Sequence, residues 1–288
     1  MAGTQTLINQ LSGGRTADLA NFSFSSRVGS FIGPILVGGA WDAFGPWVAF
    51  SCVALWGACT VGAVLLVPAS QATLTPDAKR TSSSRGSAAR DLIPRWADHT
   101  KAVALATVPA VSFVLALTFL RNGPGAIQAS FYVVYLREIG LTGSVIGAMV
   151  GLSEIFGGVG ALIAAPLARF VRPHWSVIVF VASAIFFIVI TPLIGRFIML
   201  LAVAAALRGL SQGVSQPIMF SMLSQAVGPE AQGAAVGLRN TVNRLSSMIL
   251  PVAMGGAASL WGMDTSFYLT GALLLVLCAG LMIAVRWK

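Results

Sequence analysis

Long apolar segments alternate with short polar ones along most of the chain. Segments 46–68, 175–195 and 267–285 are each long enough to cross about 30 Å of hydrocarbon, and 267–285 contains no charged residue. The backbone inside a bilayer must satisfy its own hydrogen bonds, so these segments, rich in Leu, Ala and Gly, are predicted to be helices rather than strands. The pattern therefore predicts an all-α integral membrane protein.

Eight membrane spans are predicted in this way. The third and sixth are longer than a crossing requires and are interrupted by polar residues. A polar segment rich in Ser and Thr, 69–101, separates the second span from the third and is predicted to be a linker between two halves. The predicted spans are 28–44, 46–68, 103–136, 143–166, 175–195, 197–226, 240–262 and 266–285.

Composition agrees with a membrane protein. Apolar residues make up 56% of the chain and charged residues 9%, whereas soluble domains contain roughly 25% charged residues. The three cysteines, Cys52, Cys59 and Cys278, fall within predicted spans, where we expect them to be buried small hydrophobic side chains. We find no metal-binding Cys/His spacing, no phosphate-binding loop and no Ser/His/Asp arrangement, and we expect neither enzymatic activity, nor a metal, nor a cofactor other than a coupling proton.

The net charge of +9 reflects topology rather than nucleic-acid binding. If the eight spans alternate in direction, fourteen Lys and Arg residues lie on one side, and only Arg137 and Arg196 lie on the other. This asymmetry predicts that the linker and both chain ends are cytoplasmic, in what we expect to be the plasma membrane, with the linker also touching anionic lipid. The fourteen residues are Arg15, Arg27, Lys79, Arg80, Arg85, Arg90, Arg95, Lys101, Arg169, Arg172, Arg239, Arg244, Arg286 and Lys288.

One stretch of sequence occurs twice. Residues 27–50 and 244–267 are identical at nine of twenty-four positions without a gap. Both copies have the form Arg-x6-Pro-x3-Gly-Gly-x5-Gly-x4-Phe. Since six spans, an even number, separate the copies, both run in the same direction, and the two halves are predicted to be related by an axis along the membrane normal.

Three segments, the first of them within the repeat, resemble motifs of the major facilitator superfamily of transporters. Residues 29–39 resemble the antiporter motif of the family's fifth helix. Residues 135–166 resemble the end of its seventh helix and the turn into the eighth, and residues 166–172 resemble its cytoplasmic loop motif. This resemblance implies a transporter fold built from two parallel six-helix halves.

The resemblance also implies a numbering of the helices. The family has twelve spans, and the second copy of the repeat stands two spans from the end, as the family's eleventh helix does. The first copy is then the fifth helix, and residues 1–10 are the end of the fourth. We therefore expect an N-terminally truncated fragment, or a misassigned start codon, with 1–68 as a remnant of the N-terminal half, 69–101 as the linker and 102–288 as a complete C-terminal half.

In this family the substrate cavity lies between the halves and is lined by the first, fourth, seventh and tenth helices. In the segment corresponding to the seventh helix, Arg121, Gln128, Tyr132 and Tyr135 share one face at helical spacing. Asn122 and Gln128 provide hydrogen-bonding groups, so this set of residues suits small-molecule recognition. An alternative is that the two tyrosines form an aromatic anchor at the membrane surface. The candidate cavity residues are Arg121, Asn122, Gln128, Tyr132 and Tyr135.

The segment corresponding to the tenth helix provides four more candidates on one face, Arg208, Gln212, Ser215 and Met219. Flexible Met beside polar groups suits a site that accepts varied ligands. The alternative is that Arg208 lies near a membrane surface and extends its guanidinium group into water.

Glu154 is the candidate for proton coupling. An ionised side chain at the bilayer centre costs roughly 2.5–3.5 kcal/mol on insertion scales, so such residues usually face a partner or a wet cavity. The residue lies on a stripe formed by Gly143, Gly147, Gly151 and Gly158, which predicts that this face packs closely on another helix. A carboxyl group that alternates between a buried and a paired environment could carry a proton; the alternative is a static Glu–Arg pair between helices.

The Pro and Gly residues of the repeat are predicted to serve helix bending and close packing rather than binding, and its two Arg residues to set the positive-inside topology and to make gate contacts. These residues are Arg27, Gly33, Pro34, Gly38, Gly39, Arg244, Pro251, Gly255 and Gly256. The expected function is secondary active transport of small organic molecules, with proton-coupled efflux first. The alternatives are sugar or metabolite uptake and a non-transporting, permease-like fragment.

Overall fold

The computed structural model describes residues 16–65, 104–227 and 231–286, and all regular elements within these ranges are helical. A single helical turn, Thr191–Ile194, follows the fifth of eight long helices. The predicted linker 69–101 lies outside the described residues. The eight long helices are α1 (Thr16–Phe44), α2 (Pro46–Leu65), α3 (Pro109–Glu138), α4 (Gly143–Phe170), α5 (Pro173–Val189), α6 (Ile198–Ala226), α7 (Gln232–Trp261) and α8 (Met263–Arg286).

These helices confirm the all-α membrane architecture, since each overlaps one predicted span. By length and composition α3, α4, α6 and α8 are able to cross a membrane, and α2 and α5 contain shorter apolar helices. The start of α1 at Thr16 and of α7 at Gln232 extends the predicted spans by about two to three turns.

α3 differs from the uniform helix that the sequence spacing assumed. Gln128–Tyr132 forms a π-helical segment, and α-helix resumes at Val133. Pro124 lies inside the preceding helix and provides no backbone N–H, so the regular hydrogen-bond ladder is interrupted just before the wider turn. Such π segments recur at functional sites.

α4 lies between α1 and α6 and approaches both of them closely. A Cβ atom on Gly151 would lie 2.8 Å from the carbonyl oxygen of Phe31, and one on Gly147 would clash with the carbonyl oxygen of Pro34. On the α6 side, a Cβ on Gly213 would clash with the carbonyl oxygen of Gly157. The predicted close packing of the glycine stripe is therefore confirmed for its first members, and glycine is required there for the approach of two backbones.

The buried core of the C-terminal part lies among α3, α5, α6 and α8. Val111 and Leu117 of α3 and Val177 and Ile185 of α5 are fully buried there. Among the long helices, α2 makes its main contacts with α1. The rest of α2 is exposed along most of its length, as expected of a helix surface that faces lipid.

The cysteine prediction was right for one residue only. Cys278 is buried in α8, whereas Cys52 and Cys59 of α2 are exposed. Their exposure follows from the position of α2 at the edge of the bundle, which the sequence pattern did not indicate.

The two copies of the repeat form the same corner. Gly45 and Gly262 have φ angles of 83° and 85° and end α1 and α7. In each case the glycine N–H donates to the carbonyl oxygen four residues earlier, at 2.9 Å. The next helix begins immediately, at Pro46 and Met263. Only glycine adopts this backbone without strain, which accounts for this glycine in both copies.

Candidate functional site

A small polar cavity of about 140 Å³ lies where α3, α4 and α6 meet. Its volume equals the liquid share of about four or five water molecules, so it suits a polar group rather than a drug-sized ligand. It brings together three of the predicted residues, Arg121, Glu154 and Gln212. The complete lining is Arg121, Ser153, Glu154, Gly157, Gly209, Gln212, Gly213 and Gln216.

Arg121 of α3 is held against α6 by three hydrogen bonds. Its Nε donates to Ser215 Oγ at 3.1 Å, and one terminal nitrogen donates to the carbonyl oxygen of Gln212 at 3.0 Å and to Gln216 Oε1 at 3.1 Å. A guanidinium group with several acceptors in fixed positions is well oriented. The cavity therefore has a positively charged wall of defined geometry.

Arg208 of α6 is enclosed within the bundle, at 1% exposure. Its guanidinium carbon lies 4.6 Å from the centre of the Tyr132 ring, a cation–π arrangement. This burial does not fit the alternative in which Arg208 extends into water at a membrane surface. Its Nε and one terminal nitrogen have no hydrogen-bond partner among the described residues.

Glu154 and Gln212 complete the polar lining. Glu154, on α4, is half-buried and lies within electrostatic range of the Arg208 guanidinium group. The amide nitrogen of Gln212 is buried without a hydrogen-bond partner among the described residues. Gln216 was missed by the sequence analysis, although it lies one turn beyond Gln212 on the same face of α6.

Asn122 does not line this cavity. Its amide nitrogen donates to α7, to the carbonyl oxygen of Asn243 at 3.0 Å and to the hydroxyl groups of Ser246 and Ser247 at 2.6 and 2.8 Å. This arrangement joins α3 to α7. A neighbour of Arg121 thus faces another helix, because consecutive helical residues point about 100° apart.

The remaining predicted cavity residues lie around the site rather than in its lining. Tyr135 is buried against Phe267, with ring centres 5.6 Å apart, and its hydroxyl group is 3.5 Å from the carbonyl oxygen of Pro192. The burial of Tyr135 does not fit the alternative in which the two tyrosines form an aromatic anchor at the membrane surface. Met219 is fully buried in the core, and Gln128 is half-buried at the start of the π segment.

The repeat residues take part in packing to different degrees. A Cβ on Gly38 would clash with the backbone of Gly143, and one on Gly255 would lie 3.4 Å from the Phe131 ring. A Cβ on Gly39 would have only the Ser144 hydroxyl group near it, at 3.9 Å. Apart from the backbone of its own helix, no described atom lies within 4 Å of a Cβ on Gly33 or Gly256. Pro34 and Pro251 lie inside α1 and α7, Arg244 is exposed, and the Arg27 side chain lies outside the described residues.

A contact that the sequence analysis missed joins α1 to the start of α4. The Asp42 carboxylate accepts hydrogen bonds from the backbone N–H groups of Gly143 and Ser144, at 2.8 and 2.7 Å, and from the Ser144 hydroxyl group at 2.8 Å. Arg137 lies 3.9 Å away. The carboxylate thus caps a helix other than its own.

Comparison with known proteins agrees with this architecture. Residues 114–288 match the family model described as Major Facilitator Superfamily. This range begins within α3 and covers more than half of the chain, including all of the cavity lining. A search of curated proteins finds no match to the chain.

Proposed function

Because the chain belongs to the Major Facilitator Superfamily, we propose that it is a secondary active transporter of small organic molecules that uses the α3–α4–α6 cavity. Membership of this family points to transport rather than to catalysis. The observation that carries the proposal is the convergence of Arg121 and Glu154, from two membrane helices, on one small polar cavity. Ionisable residues inside membrane helices usually mark the path of a substrate or a proton.

Glu154 is the proposed carrier of the coupling proton. Its carboxyl group is half-buried and lies within electrostatic range of the Arg208 guanidinium group. A movement that changes its distance from this cation would change the free energy of carrying a charge at this position. Protonation and conformation would then be linked, as coupled transport requires.

Two directions of transport are supported by different observations. Export is favoured by the resemblance of residues 29–39 to the antiporter motif. Uptake is favoured by the positive charge of Arg121 and Arg208, which exceeds the negative charge of Glu154. A site of this charge would attract an anion, and an anion that binds together with a proton moves in the same direction as the proton. In both cases the arginine and lysine distribution supports cytoplasmic chain ends, in what we propose is the plasma membrane.

Proton flux in liposomes tests this proposal. The purified chain is reconstituted with a pH-sensitive dye trapped inside, and small organic acids, amines and sugars are added one at a time. We expect at least one compound class to induce a proton flux that Glu154→Gln abolishes. The sign of the flux with the compound outside distinguishes symport from antiport.

Glu138→Gln is the matched control, since Glu138 is exposed at the end of α3 and lies outside the cavity. It should leave the flux unchanged. Equal flux in the Glu154→Gln protein would exclude Glu154 as the proton carrier. Absence of any compound-induced flux or uptake across the panel would contradict the proposal that this chain is an active transporter.

A further inference from the structure

The chemistry of the cavity is dominated by hydrogen-bond donors. Arg208 is 1% exposed, yet its Nε and one terminal nitrogen have no described partner, and the same is true of the Gln212 amide nitrogen. A buried guanidinium group with unused donors is energetically unfavourable. Gln212 lines the cavity, and Arg208 lies one turn before it on the same face of α6.

The net charge of the side chains around the cavity also favours binding of an anion. Arg121 and Arg208 provide two positive charges at or beside the cavity, and Glu154 provides one negative charge. Tyr132, the other titratable group in contact with Arg208, offers its ring face and carries no negative charge at neutral pH. The cluster therefore has an excess of one positive charge, which one monoanion would balance.

The size of the cavity restricts the anion. About 140 Å³ is less than half of the lower end of the range of roughly 300–1,000 Å³ typical of complete ligand pockets. The cavity thus holds a head group and not a whole substrate. A carboxylate is planar and monovalent, and it accepts hydrogen bonds from guanidinium and amide donors in the same plane.

We propose that the α3–α4–α6 cavity is a carboxylate subsite, so that the substrates of this protein are small organic acids. The proposal rests on the proposed transport function and assigns its substrate class. Arg208 and Gln212 provide donors to the substrate carboxylate, while Arg121, already oriented by α6, contributes positive charge.

Glu154 competes with the substrate in this arrangement. Its own carboxylate interacts with the Arg208 cation, and when it is protonated it no longer does so. A substrate anion therefore binds more tightly to the protein with neutral Glu154. The groups that line the cavity opposite Glu154 are Arg121 on α3 and Gln212 and Gln216 on α6. Arg208 on α6 lies outside the lining and within electrostatic range of Glu154.

Binding of matched carboxylates and amides to the purified full-length chain in detergent tests the subsite. The probes are benzoate against benzamide and acetate against acetamide, with inorganic phosphate as a second anion. Binding is followed as the rise of the thermal unfolding midpoint with probe concentration. We expect both carboxylates to raise the midpoint, and neither the amides nor phosphate to do so.

Three substitutions then assign the donors and the competitor. Gln212→Leu and Arg208→Lys should each weaken benzoate binding by about tenfold or more, the usual effect of losing a hydrogen bond to a charged group. Glu154→Gln should strengthen it by about tenfold at neutral pH, because the competing charge is gone. Gln225→Leu, at the exposed end of α6, is the control and should leave binding unchanged.

The opposite signs separate binding from general damage to the fold. If Arg208→Lys does not fold, Gln212→Leu decides, since it removes a buried donor without changing charge. Equal binding of benzoate and benzamide, binding of phosphate alone, or weaker benzoate binding by Glu154→Gln would each overturn the proposal. Carboxylate binding without proton flux would leave the subsite standing and contradict the transport function instead.

Discussion

Single polar side chains hold the membrane helices of this protein together. The Asn122 amide group, with its three acceptors on α7, is the clearest example. Hydrogen bonds between membrane helices contribute about 0.6 kcal/mol on average and up to about 1.7 kcal/mol. A side chain with several such bonds therefore stabilises one pair of helices appreciably.

Asn122→Ala should lower the free energy of unfolding by about 1–2 kcal/mol without weakening benzoate binding, because Asn122 faces α7 and not the cavity. Unfolding in a titration with dodecyl sulfate, followed by circular dichroism, measures the first effect. Asn240→Ala is the control, since Asn240 is exposed on α7 and should have no effect. If the Asn122→Ala protein is as stable as the unmodified protein but no longer binds benzoate, Asn122 contacts the ligand and the prediction is wrong.

For individual residues, the sequence identified which side chains are candidates for the site but not which neighbouring helix each of them contacts. Arg121 and Glu154 were predicted from their charge within apolar segments and Gln212 from its position on one face of α6, and the structure brings the three together. Tyr135 was chosen by helical spacing and Asn122 by its hydrogen-bonding groups; in the structure Tyr135 packs on Phe267 of α8, and Asn122 bonds to α7. Spacing fixes the face of a helix, whereas the helix that this face meets depends on tertiary packing.

The pair α4 and α6 shows how two helices pack at glycine residues. α4 and α6 approach each other through Gly157 and Gly213, and a Cβ on Gly213 would clash with the Gly157 carbonyl oxygen. Close approach of this kind increases van der Waals contact between membrane helices. Since α4 also packs on α1, this helix joins the first two helices to the rest of the bundle.

Gly213→Ala should lower the free energy of unfolding by about 1–3 kcal/mol, because the two backbones must separate to accept the methyl group. The same dodecyl sulfate titration measures the loss. Gly256→Ala is the matched control on α7, where a new Cβ meets no described atom within 4 Å apart from the backbone of its own helix, so stability should be unchanged or rise by up to about 1 kcal/mol. An equal response of the two variants would show that α4 and α6 are not closely packed here.

The Asp42 contact makes a separate prediction about the joint between α1 and α4. Asp42→Ala removes the acceptor of two backbone N–H groups and one hydroxyl group. It should lower stability by about 0.5–2 kcal/mol, the range observed for loss of a helix cap. Glu138→Ala removes an exposed carboxylate that has no such bonds among the described residues and should have little effect in the same assay.

The helices were more predictable than their irregularities. Long apolar segments specify helix because lipid provides no hydrogen bonds to the backbone, and each of the eight long helices in the described residues overlaps a segment placed from this rule. The π segment at Gln128 and the capping of α4 by Asp42 were not predicted. Both depend on bonds that are local to one turn or formed between distant residues, and neither changes the hydrophobic pattern.

In the molecule as a whole, the two copies of the repeat share a fold but not an environment. Pro34 and Gly38 face α4 in the first copy. The corresponding helix of the second copy exposes Met248 and Val252, which are 63% and 73% accessible. The repeat therefore predicted the direction and the helix–glycine–helix corner of both copies, while the neighbours of each copy depend on the rest of the bundle.

The direction of the whole molecule in the membrane follows from charge, and it is the last prediction. With Cys52, Cys59 and Cys278 replaced by Ser, one new cysteine is introduced in intact cells, as Arg196→Cys between α5 and α6 or as Ser83→Cys in the linker segment. A membrane-impermeant maleimide should label position 196 at once, because the arginine-poor side is expected to face outward. Position 83 should be labelled only after the membrane is permeabilised.

The same experiment fixes the orientation of the cavity. α4 begins on the side of Arg196, since Gly140 and the Arg196 side chain are neighbours, so labelling at 196 places the start of α4 and its Asp42 cap outside. Breaking the hydrogen bonds between Asp42 and the start of α4 would then be a step at the outer surface. If α1 and α4 separate there, substrate and proton would reach Glu154 from outside the cell. Labelling of position 83 in intact cells, with 196 protected, would reverse this assignment and require another cause for the charge asymmetry.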